Sequence, residues 1–223
     1  MLLTMLHHIP RPFGLGIFVV IRQPTLKRNS KPRISLYRGC SFLGGCGILG
    51  LVQQIWIWRS TMASIYYTEV DLSPYEVPNE QSLCIYISGC QQVCQNCHYP
   101  DLRKANYGEP LIDFFEKLLE LYFYQATCVC FLGEGENTPQ SRKELTIFAK
   151  QASKMGKRVC LYSGRDIEPE NWMNVFDYIK VGSYQQFLGS LDSPSTNQVF
   201  YRKNVDGIYE NITYTFWLRE MVL

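Results

Sequence analysis

Leu83-Cys84-Ile85-Tyr86-Ile87-Ser88-Gly89-Cys90-Gln91-Gln92-Val93-Cys94-Gln95-Asn96-Cys97 reads as an apolar strand running directly into a loop with three cysteines. The apolar half, Leu83–Ser88, is rich in β-branched and aromatic residues and reads as a buried strand. The second half is polar and places cysteines at C-x3-C-x2-C. Thiolates at this density are soft ligands suited to zinc, copper(I) or an iron–sulfur cluster. A cubane cluster is normally held by four thiolates. Three thiolates without an obvious fourth leave one iron open for chemistry.

Working outward from that loop, the chain alternates. Thr127–Leu132, Arg158–Tyr162 and Tyr178–Val181 read as three further strands. Pro110–Tyr124 carries Leu111, Phe114, Phe115, Leu118, Leu119 and Tyr122 at helical spacing. Pro139–Met155 sets Leu145, Phe148, Ala152 and Met155 on one face, with Gly156 as its stop. Trp172–Phe176 reads as a short helix. Such alternation predicts an α/β fold with parallel strands and right-handed crossovers, an open β/α barrel or curved sheet. Gly133-Glu134-Gly135, Ser163-Gly164 and Gly182-Ser183-Tyr184 each follow a predicted strand, as the cysteine loop does. The topology therefore brings four distant segments to one sheet edge, where ligands of open parallel sheets bind.

Composition divides the chain at Met62. Hydrophobic residues make up 46% and charged residues 19% of the 223, a globular balance. Residues 1–61 hold eight Lys and Arg and no Asp or Glu, while the other 14 Lys and Arg share 62–223 with all 20 acids. We read 1–61 as an extension outside the domain: upstream sequence before a start at Met62, or, if made, a poorly ordered stretch or one poorly packed helix. Its apolar runs, Phe13–Ile21 and Phe42–Trp58, are short or interrupted for a membrane span. Residues 62–223 are long enough for one domain, expected to be catalytic. Their acidic balance, with no basic stripe carrying interleaved aromatics, argues against nucleic acid as a partner; no membrane association is expected. Nine cysteines are too many and too irregular for a disulfide framework, which places the chain in a reducing, cytoplasmic interior. Cys84, Cys128, Cys130 and Cys160 fall in apolar runs and read as buried small hydrophobes. Lys180 reads as a solvated or salt-bridged strand residue.

The order of these motifs resembles the radical S-adenosylmethionine (radical SAM) superfamily. C-x3-C-x2-C after a strand is similar to its cluster signature. Phe131-Leu132-Gly133-Glu134-Gly135-Glu136 stands where the superfamily has Gly-Gly-Glu/Asp, and Leu161-Tyr162-Ser163-Gly164 resembles a later strand end. Asp177-Tyr178-Ile179-Lys180-Val181-Gly182-Ser183-Tyr184, then Asp192-Ser193-Pro194-Ser195-Thr196-Asn197-Gln198, resembles the activating protein of anaerobic (class III) ribonucleoside-triphosphate reductase. The likeness covers roughly Ala63 to Lys203.

The resemblance implies a [4Fe-4S] cluster on Cys90, Cys94 and Cys97. It implies S-adenosyl-L-methionine on the fourth iron, contacted by Asn96, Cys97 and His98 and by Gly133, Glu134 and Gly135. It implies a flavodoxin-like or ferredoxin-like electron donor, cleavage of the cofactor to methionine and a 5′-deoxyadenosyl radical, and a glycyl radical on the large subunit of anaerobic ribonucleotide reductase. Two departures stand out. Glu76-Val77-Pro78-Asn79-Glu80-Gln81 replaces a usual Gly-Pro-Gly stretch, and Gly133-Glu134-Gly135-Glu136 leaves open whether Glu134 or Glu136 is the motif acid. Two alternatives remain beside this expectation. One is a radical SAM enzyme acting on another glycyl-radical enzyme or a small molecule; the other is a structural zinc module, with His98 or Cys84 as fourth ligand.

Overall fold

The structure, a computed structural model, describes residues 63–218. The readings placed on 1–61, including its two apolar runs, lie outside the described residues. The strands are β1 (Tyr66–Ser73), β2 (Ser82–Ile87), β3 (Glu109–Pro110), β4 (Cys128–Leu132), β5 (Arg158–Tyr162), β6 (Tyr178–Val181), β7 (Val199–Lys203) and β8 (Tyr209–Asn211). They form one sheet in the order β3-β1-β2-β4-β5-β6-β7-β8. Helices α1 (Phe115–Leu121), α2 (Pro139–Lys154) and α3 (Tyr214–Trp217) accompany it, with 3-10 turns at Pro100–Arg103, Leu111–Asp113 and Asn171–Val175.

The fold is mixed α/β. The pairs β2–β4, β4–β5 and β5–β6 are parallel, as the alternating pattern predicts. The other four pairings are antiparallel and lie at both flanks, where they add β1, β3, β7 and β8, strands the sequence reading did not single out. The reason lies in the connections. A parallel return needs a long crossover, usually helical, whereas an antiparallel one can be short. Between β6 and β7 the chain forms no helix, and β7 joins β8 across a turn in which Gly207 sits at φ 80°.

Period-two alternation divides the core. Leu83, Ile85, Ile87, Val129, Phe131, Val159, Leu161, Ile179 and Val181 face the helices. Cys84, Cys128, Cys130 and Cys160 face the other side with Val77, Phe200, Ile212 and Phe216, all buried as their apolar surroundings imply. Cys84, Cys130 and Cys160 are register partners on adjacent strands, so three thiols lie side by side.

Helix α2 begins at Thr138, whose hydroxyl accepts from the Ser141 N–H at 3.1 Å, and Gly156 stops it at φ 76°. The predicted helix over Pro110–Tyr124 is shorter. Pro110 pairs with Tyr66 in the sheet, and the Leu111 N–H donates to the Ile65 carbonyl at 2.9 Å. These contacts hold the first turn as a 3-10 segment, and the α-helix starts at Phe115.

Leu145 on α2 is wholly buried within the helix-side core. Leu145→Ala should cost about 2–5 kcal/mol of unfolding free energy, as lost transfer energy plus a cavity. Urea denaturation checks this, and a loss below about 1 kcal/mol would contradict the packing described.

Candidate functional site

The cysteine loop leaves β2 through Gly89 at φ 88°, where a Cβ would come within 3.2 Å of the Glu136 backbone nitrogen. That close approach makes glycine the residue for the position. The loop then closes on itself. The Gly89 N–H donates to the Lys104 carbonyl at 3.0 Å and the Cys90 N–H to the Leu102 carbonyl at 2.9 Å. From the 3-10 turn, Arg103 Nη2 donates to the Cys94 carbonyl at 2.6 Å. Cys90, Cys94 and Cys97 are free thiols, each half-buried. Burial pushes the Cys90 thiol up; the Gln92 N–H and Arg103 pull it down, while Cys94 and Cys97 push it further up.

Three other loops meet this one at the same sheet edge. After β4, Gly133 sits at φ 127° against the Ile87 carbonyl, and Gly135 at φ 63° beside Ile65. Glu134 is 7% exposed. Its carboxylate accepts a bidentate pair from Arg165, Nε at 2.8 Å and Nη2 at 2.9 Å. Arg165 lies in the loop after β5 and also donates to Glu170 at 2.6 Å. Glu170 further accepts from Trp172 Nε1 at 2.9 Å and pairs with Arg142 at 3.6 Å. Hydrogen bonding to Arg165 holds Glu170 below the usual carboxylate range, and the same bond to Glu134 pushes Arg165 up. The Gly182 N–H after β6 donates to the Arg165 carbonyl at 2.8 Å. Arg165 therefore joins three loops, and its fork geometry suits a buried carboxylate better than lysine would.

The loop after β6 returns to the cysteines. Asn96, at φ 55°, donates through Nδ2 to Gln186 Oε1. The His98 and Tyr184 rings stand 5.7 Å apart. The Ser183 N–H and hydroxyl both donate to Asp166 at 2.9 Å. A cavity of about 760 Å³ opens between Gln92, Val93 and Cys94 on one side and Ser183, Tyr184 and Phe187 on the other.

Lys180 corrects the sequence reading. It is 8% exposed, so it is not solvated, and among the described residues no carboxylate lies within ion-pair distance. Its Nζ donates to the Gly182 carbonyl at 2.7 Å and stands 5.9 Å from the Tyr162 ring centre. Burial pulls the ammonium down to about 8, against partial opposition from Cys94, Asp166 and Cys90. A second cation is similarly placed. Arg103 Nε is shut off from solvent with no hydrogen-bond acceptor among the described residues. Leaving such a donor unmade costs about 1–3 kcal/mol. Among the described residues neither cation has a carboxylate partner, and Arg103 is held to the cysteine loop through the Cys94 carbonyl.

The sequence-derived candidates distribute unevenly. Cys90, Cys94 and Cys97 share the loop, and Asn96 and His98 bridge it to the loop after β6. Gly133 and Gly135 pack beneath it. Glu134 is committed to Arg165, while Glu136 is exposed. Arg103 and Arg165 were not picked out by sequence reasoning, and Lys180 was read only as a solvated or salt-bridged strand residue; its place within the apolar run Tyr178–Val181 was the available signal of burial. Among the described residues no three His, Cys, Asp or Glu side chains converge closely enough for a single metal ion. No helix among them is long and apolar enough to cross a membrane. Comparison with family models, curated proteins and solved structures gave no match to this chain in any of the three.

Lys180 yields a signed prediction for the metal-free protein. The unfolded chain keeps this proton to about 10.4, whereas the folded chain releases it near 8. Between those values the unfolded state binds more protons, so this residue's contribution to stability rises with pH. Lys180→Met should raise stability at pH 7 by on the order of 3 kcal/mol, and the advantage should shrink from pH 8 to 10. Urea titrations at several pH values measure the difference, and an advantage constant with pH would contradict the burial of this ammonium.

Proposed function

We propose that this chain is a radical SAM activating enzyme. In this reading it reductively cleaves S-adenosyl-L-methionine and generates a glycyl radical on anaerobic ribonucleotide reductase. The observation that carries it is the gathering, at the carboxyl edge of parallel strands, of three half-buried thiols and of Arg103 and Lys180, neither of which has a carboxylate partner among the described residues. The donor set fits a [4Fe-4S] cluster. Such a cluster spreads its thiolates over separate irons, so its ligands need not converge as those of one zinc ion must. Its negative charge would be matched by the two cations. The open β/α barrel of this superfamily is the form we assign to the parallel core β2-β4-β5-β6.

Cys90, Cys94 and Cys97 would hold the cluster. With S-adenosyl-L-methionine bound, such a cluster would supply an electron, taken from a flavodoxin-like or ferredoxin-like donor in the cytoplasm, for reductive cleavage of the sulfonium to methionine and a 5′-deoxyadenosyl radical. The chain's own part is placement and exclusion of competing reactants. Gly133 and Gly135 let backbone groups approach the cofactor. Asn96 and His98, tied to Gln186 and Tyr184, would hold its far side. Glu134 keeps the loop after β4 in position through Arg165, which leaves the exposed Glu136 as the acid free to meet the cofactor's ammonium.

The test is anaerobic. The full chain is reconstituted with iron and sulfide, reduced with dithionite and given S-adenosyl-L-methionine. Chromatography should detect 5′-deoxyadenosine, and Cys94→Ala should reduce it to background. Undiminished cleavage by that variant, or stoichiometric zinc in place of iron, would sink the assignment.

A further inference from the structure

We infer that Arg103 hydrogen-bonds a sulfur of the bound cluster through Nε–H and thereby raises the cluster's reduction potential. This inference rests on the radical SAM reading above and assigns a role to a residue that reading does not use.

The argument begins with the two ends of the guanidinium. Nη2 is fixed on the Cys94 carbonyl at 2.6 Å, which anchors the group to the loop carrying all three thiols. Nε is buried and has no acceptor. The backbone offers it none, and no carboxylate pairs with the guanidinium among the described residues. The adjacent cation behaves differently: Lys104 is exposed and pairs with Asp101 at 2.6 Å. Lys104, just past the 3-10 turn Pro100–Arg103, thus points outward to an acid, while Arg103 turns back onto the Cys94 carbonyl of the cysteine loop.

A sulfur of a cluster held by Cys90, Cys94 and Cys97 would give this buried N–H the acceptor it lacks among the described residues. Hydrogen bonds to cluster sulfurs and nearby positive charge are among the factors that set the potential of such clusters. A donor and a fixed cation together stabilise the more negative, reduced state. Arg103 is therefore a positioning and tuning residue, with no contact to the reacting atoms claimed for it.

The experiment uses the full chain, reconstituted anaerobically, in two measurements. The first is an EPR-monitored redox titration. Arg103→Met should shift the cluster midpoint to more negative potential, Arg103→Lys should shift it less, and Lys104→Met should leave it unchanged. An unchanged midpoint in a fully loaded Arg103→Met protein overturns the inference. The second needs no substitution. The reduced cluster of protein labelled with [15N]arginine should show a nitrogen hyperfine coupling by pulsed EPR. Absence of that coupling overturns the inference, and this result decides the matter if Arg103→Met fails to load. Failure of the unsubstituted chain to form any iron–sulfur cluster is a separate outcome, which overturns the radical SAM reading itself and this inference with it.

Discussion

The backbone ladder from Tyr86 through Leu132 and Tyr162 to Lys180 aligns the carboxyl ends of four parallel strands. Each strand releases its loop at the same level, so the loops meet at one edge although they are far apart in sequence. The same register decides the side chains beneath them. One row carries Tyr86, Leu132, Tyr162 and Lys180; the row below carries the three thiols Cys84, Cys130 and Cys160. Across the top, Arg165 ties together the loops after β4, β5 and β6 through Glu134 and the Gly182 N–H. Slipping one strand by a residue would turn each side chain to the other face and lose both rows.

The rim is built at a cost to stability. Among the described residues Lys180 is a buried ammonium without a carboxylate and Arg103 carries a buried donor without an acceptor, and Cys90 sits where its thiolate is disfavoured. Local violations of this kind gather at functional sites and are offset elsewhere. Here the offset comes from the helix-side core, where Phe115, Phe131, Phe148 and Phe176 stack or meet edge to face. An anionic, sulfur-rich occupant would relieve all three penalties together, by matching the charges and by drawing the protons off the thiols.

The central strands were legible because each is a short, almost wholly apolar run, the pattern of a strand buried on both faces. The cysteines were legible because their spacing is local. What was not legible depends on distant partners. Strand β1 alternates exposed Glu69 and Asp71 with Val70 and Leu72, and its place is set by β2 and β3 rather than by a strong signal of its own. The antiparallel return at β7 is fixed by the absence of a crossover helix, which the run of Ser, Pro and Asn before it does not announce. The burial of Lys180 follows from the close approach of Gly182 to Gln198 and of Tyr162 to the same row, neither of which neighbouring residues reveal. Arg103 acquires its role only when the loop closes, and Glu134 loses the role of free acid only when Arg165 reaches it.

The central claim is that three thiolates hold a four-iron cluster and leave one iron open. Mössbauer spectroscopy of the 57Fe-reconstituted full chain, with and without S-adenosyl-L-methionine, tests it most directly. The account predicts four irons per chain, one of which changes its isomer shift when the cofactor is added while three do not. Four irons that all remain unchanged, or a chain that takes up no iron, would contradict it.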